Sequence, residues 1–196
     1  MKRIDVFYAT REGHTQLIAE RVAAHLRAQG FDAAARKPRS HAANASLDGL
    51  WGAVLAASVH GGKHEPEIVE FVRNHLGELN RMRKAFLSVT LSEAGVERSE
   101  SIPEERAQCE ADVQTMIENF FKETGWRPNV VLPVAGALLY SQYNFVVRFV
   151  MKRIAKKMRA GTDTSRDYDY TDWQALDRFA DRLWEELPPA NPEFVS

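Results

Sequence analysis

The run Thr10-Arg11-Glu12-Gly13-His14-Thr15 places hydroxyls at both ends of a six-residue turn, with a glycine between them. A helical pattern starts at once, at His14. Backbone N–H groups at a helix start carry partial positive charge and point outward, so such a turn can cradle an anion. Thr10 and Thr15 add side-chain donors. A phosphate monoester suits that arrangement. The GxxxxGK[ST] triphosphate loop is absent, as is the GxGxxG dinucleotide fingerprint. For these six residues alone, an ordinary strand-to-helix turn with a threonine cap is the competing reading.

Two further stretches carry chemistry. In Ser58-Val59-His60-Gly61-Gly62-Lys63-His64, two glycines let the backbone approach a flat ligand closely. His60 and His64 have metal-ligating side chains, but no third soft ligand lies near them in sequence, so no metal site is expected. Ser88-Val89-Thr90-Leu91-Ser92 offers hydroxyls and amides to the edge of a heterocycle. Cys109 lies mid-helix without a sequence partner and reads as an inert thiol. No GxSxG elbow or recognisable hydrolase triad is present, and no side chain is singled out as a catalytic acid or base.

The elements that must position these stretches alternate. Apolar, β-branched runs at residues 2–9, 31–36, 53–57, 84–91 and 129–139 read as five strands. Helical periodicity at 14–29, from about 65, and at 104–124, 145–159 and 171–187 reads as helices. Short, continuous apolar strands alternating with helices predict an α/β, doubly wound five-stranded parallel sheet, strand order 2-1-3-4-5. Ligands of such sheets bind beyond the carboxyl ends of the strands. The three stretches follow strands one, three and four, so they share that edge. Residues 37–48 and 92–103 read as polar loops. The chain reads as one domain over residues 1–187, with an extension at about 92–160 and a disordered tail at 188–196.

The chain has 196 residues, a formal net charge of −1 and 44% hydrophobic residues. Disorder is excluded by that balance, and a globally basic nucleic-acid binder by the charge. The longest apolar stretch, 130–140, is too short to span a bilayer. One cysteine and no leader-like N-terminus predict a reducing, cytoplasmic setting. The near-neutral sum hides a contrast. Residues 93–123 hold nine acids and three bases, whereas 124–162 hold seven bases and no acid. Within the basic segment, Val147, Val150, Met151, Ile154 and Met158 form one helical stripe. Arg148, Lys152, Arg153, Lys156, Lys157 and Arg159 occupy the rest of the wheel. Phe145 and Phe149 fall on the basic side. Aromatics among cations suit an anionic membrane surface. Tyr140 and Tyr143 read equally as stacking or packing residues.

The three loops together resemble those of the flavodoxins. A more extensive resemblance rests on Phe7-Tyr8-Ala9-Thr10-Arg11, Glu70-Phe71-Val72, Gly125-Trp126-Arg127-Pro128 and Val134-Ala135-Gly136-Ala137-Leu138, and continues through Arg148-Phe149-Val150-Met151-Lys152, Gly161-Thr162-Asp163-Thr164 and Tyr170-Thr171-Asp172-Trp173. By these the chain resembles the menaquinone-dependent protoporphyrinogen IX dehydrogenase family, over about residues 3–187. The resemblance implies a flavodoxin-like fold, FMN, and an oxidoreductase of haem biosynthesis. Electrons would pass from a protoporphyrinogen-like tetrapyrrole to menaquinone or another quinone, at the inner face of the cell membrane. By position, Thr10, Arg11, Glu12, Gly13, His14 and Thr15 would hold the FMN phosphate. Ser58, Val59, His60, Gly61 and Gly62, with Ser88, Val89, Thr90 and Leu91, would flank the ring system. Tyr140, Tyr143, Phe145, Arg148, Phe149, Lys152, Arg153 and Lys156 are the candidates for substrate or membrane contact. A flavodoxin-like electron carrier docking on a protein partner, and a binding module without flavin, are the alternatives.

Overall fold

Residues 4–9 are buried on both of their faces, which a strand achieves only between two helical layers. The computed structural model describes residues 1–38, 47–97, 102–157 and 160–186. In chain order they form β1 (Arg3–Ala9), α1 (His14–Ala28), β2 (Asp32–Arg36), β3 (Leu50–His60), β4 (Lys63–His64), α2 (Pro66–Asn74), α3 (Leu76–Asn80), β5 (Arg83–Thr90), α4 (Leu91–Glu97), α5 (Pro103–Thr124), β6 (Val130–Ala135), β7 (Ala137–Leu138), α6 (Phe145–Lys157), β8 (Tyr168–Asp169) and α7 (Trp173–Glu186). The five long strands pair in parallel in the order β2-β1-β3-β5-β6, the doubly wound order expected from the alternation.

Period-2 side-chain alternation divides the core. Ile4, Val6, Tyr8, Val54 and Leu87 face α1 and α7, meeting Ile18, Val22, Leu26, Leu176 and Leu183. Phe7, Leu55 and Phe86 face α2, α3 and α5. There Phe86 stacks on Phe120 with centroids 4.5 Å apart, and Trp126 stands edge-on to both. Truncating one such ring to alanine costs about 3–5 kcal/mol.

The structure departs from the expected elements in five places, each for a local reason. Residues 58–60 are not a loop but the end of β3. The turn is Gly61-Gly62, with φ 58° and 79°, two left-handed residues that close a tight hairpin onto β4. Residues 92–97 are helical rather than loop, because Ala94 and Gly95 bury one face of α4. The expected strand at 129–139 breaks at Gly136, whose N–H donates to the Thr90 carbonyl at 3.1 Å. Beyond it β7 leaves the sheet and pairs antiparallel with β8. Leu17, an apolar residue on the helix expected at 14–29, is exposed rather than buried. On α6 the expected apolar stripe is mostly outside: Val147, Val150 and Ile154 are exposed, whereas Met151 turns inward as expected and Ala155 joins it. They face a small core of the insertion, built from Leu138, Tyr140 and Tyr143. Met158, Arg159 and the tail at 188–196 lie outside the described residues.

The insertion core is clamped at Gly161. The Tyr140 hydroxyl donates to the Gly161 carbonyl at 2.8 Å, and the Gly161 N–H donates to the Tyr170 hydroxyl at 2.7 Å. A Cβ on Gly161 would fall 2.3 Å from the Tyr168 ring, so no side chain fits there.

Candidate functional site

A cleft opens at the carboxyl ends of β1, β3 and β5. Thr10, Glu12, His14 and Thr15 line it from the first turn and the start of α1, Ser58, Val59 and His60 from β3, Val89 and Thr90 from the end of β5, and Leu91 from the start of α4. The insertion supplies the far wall with Gly136, Ala137, Leu139, Tyr143 and Met151. Tyr143 and Met151 keep the cleft narrow, at about 70 Å³.

At one end the backbone is shaped for an anion. Gly13 precedes α1 at φ 88°, a left-handed conformation that favours glycine. Its N–H is taken by Thr10 Oγ1 at 3.0 Å, and its carbonyl accepts from Gln16 and Leu17. The next N–H groups, of His14 and Thr15, stand in the first turn, where no preceding helical carbonyl can accept from them. Thr15 Oγ1 is buried and has no partner in the structure. An unpaired buried hydroxyl costs about 1–3 kcal/mol, and an oxyanion at the helix start relieves it. The turn therefore fits a phosphate.

His14 ties this turn to the C-terminal segment. The Thr171 hydroxyl donates to the Ala135 carbonyl at 2.7 Å and has one proton to give. The 2.7 Å contact between His14 Nε2 and Thr171 Oγ1 is therefore donated by the imidazole. Burial pulls the His14 pKa down against the opposing pull of Asp169, so a neutral ring protonated on Nε2 fills the position. Asp169 is in turn held by the Trp173 indole N–H at 2.9 Å.

A charged network occupies the β3 side. Glu65, only 3% exposed, precedes Pro66 at the start of α2. Its carboxylate accepts from Ser58 Oγ at 3.2 Å and pairs with Arg11 Nε at 3.0 Å. His60 Nε2 stands between two carboxylates, 3.2 Å from Glu65 and 3.3 Å from Glu12. Burial pushes the Glu12 pKa up, but the nearby His60 and Arg11 outweigh it and hold the carboxyl below its ordinary value.

Some expected site residues lie elsewhere. Ser88 is fully buried and bonded to His64 Nε2 at 2.9 Å, so its side chain is withdrawn from the cleft. His64, wedged near Phe86 and Phe120, has its pKa pushed down by burial to about 4. Arg11 and Gly13 do not wall the cleft. Gly61 and Gly62 border a neighbouring hollow beside α5. Tyr140 is fully buried and spends its hydroxyl on Gly161, so packing, not substrate stacking, is its role. Tyr143 does face the cleft, and burial raises its pKa to about 12. On α6, Arg148 turns back to the Tyr143 carbonyl at 3.2 Å. Phe145 and Phe149 are 85% and 58% exposed, and Lys152, Arg153 and Lys156 are exposed with them. Sequence reasoning passed over Glu65, whose signal is an acid directly before a helix-starting proline. It also passed over Gly136, Ala137, Leu139, Met151, Asp169 and Thr171, which only the turn of the insertion brings near. Among the described residues no group of three or more His, Cys, Asp or Glu could hold a metal ion.

Five parallel strands in this order, with an anion-cradling turn after the first and the cleft at the switch in strand order, define a flavodoxin-like α/β protein. A family model described as Flavodoxin domain matches residues 6–166. Over 175 residues, 89% of this chain and 91% of the relative, the sequence is 31% identical to a protein of Escherichia coli (strain K12) named protoporphyrinogen IX dehydrogenase [quinone]. It is 29% identical over 190 residues to a protein of the same name from Leishmania major, covering 95% and 76%. The chain belongs to the flavodoxin-domain family and, within it, to the protoporphyrinogen IX dehydrogenase family. Membership indicates a flavin as the cofactor, and the turn at Thr10–Thr15 meets that requirement. Two solved structures share the fold. The apo form of an NADH:FMN oxidoreductase superposes with a TM-score of 0.51 at 13% identity, covering 99% of this chain and 94% of its own. A short-chain flavodoxin associated with a bacterial microcompartment gives 0.50 at 15%, covering 94% and 98%.

Proposed function

We propose that this chain is an FMN-dependent dehydrogenase that takes reducing equivalents from a protoporphyrinogen-type tetrapyrrole and passes them to menaquinone or a related quinone. The observation that carries this reading is the 31% identity to protoporphyrinogen IX dehydrogenase [quinone] along 89% of the chain, a span too long to leave out the insertion. An electron carrier without a substrate of its own has no such support.

FMN, when bound, supplies the electron transfer. The chain's residues do the rest. The first turn of α1 and Thr15 Oγ1 bind the phosphate monoester, which favours FMN over riboflavin. Val59, Val89 and Leu91 give the ring system apolar walls, while His60 and Glu12 set charge beside it. Tyr143 and Met151 exclude water from the outer side. The flavodoxin-like unit over residues 1–187 works as a single domain.

The quinone is a lipid, and α6 is suited to meet it. Among the described residues no helix is long and apolar enough to cross a membrane. Phe145, Val146 and Phe149 nonetheless stand exposed beside Lys152, Arg153 and Lys156. Apolar groups among cations favour the interface of an anionic bilayer, and the protein acts at the inner face of the cell membrane. Flotation on anionic vesicles should recover the wild type with lipid and leave a Lys152→Glu/Lys156→Glu variant in the soluble fraction. Equal flotation of the two rejects this role for α6.

The decisive assay mixes purified protein anaerobically with protoporphyrinogen and a menaquinone analogue. Porphyrin fluorescence should rise faster than autoxidation allows. A rate equal to autoxidation, from flavin-loaded protein, overturns the assignment.

A further inference from the structure

Beside the flavin cleft lies a larger cavity of about 520 Å³. His60 lines both, so the two spaces meet at that residue. Three cations from three elements ring the cavity: Arg11 from the turn after β1, Lys63 from β4 and Arg73 from α2. Each has donors to spare. Arg11 engages Glu65 through Nε, which leaves its terminal N–H groups. Arg73 gives Nε and Nη2 to the Glu123 carbonyl at 3.0 and 2.8 Å, which leaves Nη1. Lys63 is exposed and forms no ion pair among the described residues. Glu65, the acid nearest to Arg11, is buried and already engaged by Arg11 and Ser58. The opposing charges are the side chains of Glu70 and Glu123 on the same wall.

We propose that this cavity binds the propionate carboxylates of the tetrapyrrole, and so decides which edge of the macrocycle lies toward His60 and the cleft. The inference rests on the function proposed above. A protoporphyrinogen carries two carboxylates on neighbouring rings, and these are its only charged groups. Arginine and lysine in a concave site bind carboxylates through charge-assisted hydrogen bonds. Pro66 and Val69 line the same cavity and offer apolar contact to the ring that carries those acids. The cations of α6 stand on an exposed convex helix among aromatics, an arrangement for a surface rather than for two discrete carboxylates.

The test titrates the flavin-loaded protein with protoporphyrin IX, the stable oxidised product, and follows porphyrin fluorescence. Parallel titrations use its dimethyl ester, which keeps the ring and loses both charges, and ADP as a competitor. The free acid should bind at least 10-fold more tightly than the ester. Lys63→Met and Arg73→Met should each weaken the acid about 10-fold and leave the ester unchanged. Glu70→Gln should tighten the acid a few-fold, a gain that general damage to the fold does not produce. Equal affinity for acid and ester, or unchanged affinity for the acid in both cation variants, places the carboxylates elsewhere and leaves the dehydrogenase reading standing. Displacement of the porphyrin by ADP, lost in Lys63→Met, assigns the cavity to a nucleotide phosphate and overturns the proposal. Failure of acid and ester alike to bind, together with porphyrin formation no faster than autoxidation, removes the functional reading as well.

Discussion

Thr15 holds an unmet demand: a buried hydroxyl oxygen with no partner, at a helix start. Thr15→Val keeps the shape and removes the donor. A hydrogen bond to a charged group is worth about 1.5–3 kcal/mol, so FMN affinity should fall by roughly 10-fold or more. Riboflavin, which lacks the phosphate, should bind the variant and the wild type equally. Quenching of flavin fluorescence, titrated into flavin-stripped protein, reads both. His64 makes a separate prediction. Its pKa falls from 6.5 to about 4 on burial, so the folded state binds its proton less readily than the unfolded chain. Stability from this group is therefore complete above pH 6.5 and is lost as the pH falls toward 4. The loss amounts to a few kcal/mol at 1.36 kcal/mol per pH unit. His64→Gln should flatten the denaturation midpoint between pH 6.5 and 4.5 relative to wild type; parallel profiles would show that His64 is not the group responsible.

The insertion is the element the sequence disclosed least. Alternating apolar runs revealed the five parallel strands and their order, because buried strands and 3.6-residue periodicity are both local signals. The first turn was legible for the same reason, since a glycine and hydroxyls at a strand end are local features. The break at Gly136 was not, because Val134-Ala135-Gly136-Ala137-Leu138 is apolar on both sides of it and only the pairing with residues 168–169 bends the chain away. The orientation of α6 was missed likewise: its wheel allows several faces, and Arg148, Met151 and Ala155 turn inward because Leu138, Tyr140 and Tyr143 wait there. Buried Glu65 was overlooked because nothing in its neighbours announces a partner 54 residues away at Arg11. The insertion also gives a test of its own. Gly161→Ala brings a methyl group into the Tyr168 ring and should open the aromatic clamp. Limited proteolysis should then cut within residues 137–170 at least several-fold faster, while far-UV circular dichroism of the sheet and its helices stays unchanged. Unaltered proteolysis would show that the clamp is not what holds the insertion.

Across the whole molecule, charge is arranged rather than balanced. Within the net charge of −1, an acidic segment at 93–123, with nine acids and three bases, adjoins a basic one at 124–162, with seven bases and no acid. Ligand binding should register in global stability too. FMN at 100 times its Kd should stabilise the fold by about 2.7 kcal/mol, if it binds the folded chain alone. The shift in urea midpoint measures it, and riboflavin should give less at the same concentration.

The chain of hydrogen bonds from His14 through Thr171 to Ala135 has one more consequence. It joins the turn at Thr10–Thr15 to the segment that closes the insertion, and Met151 carries the insertion back into the cleft. Coupling of this kind is reciprocal. If the flavin steadies the insertion, whatever grips the insertion from outside must tighten flavin binding by the same free energy. The cofactor would then be held more firmly with the insertion gripped than with it free.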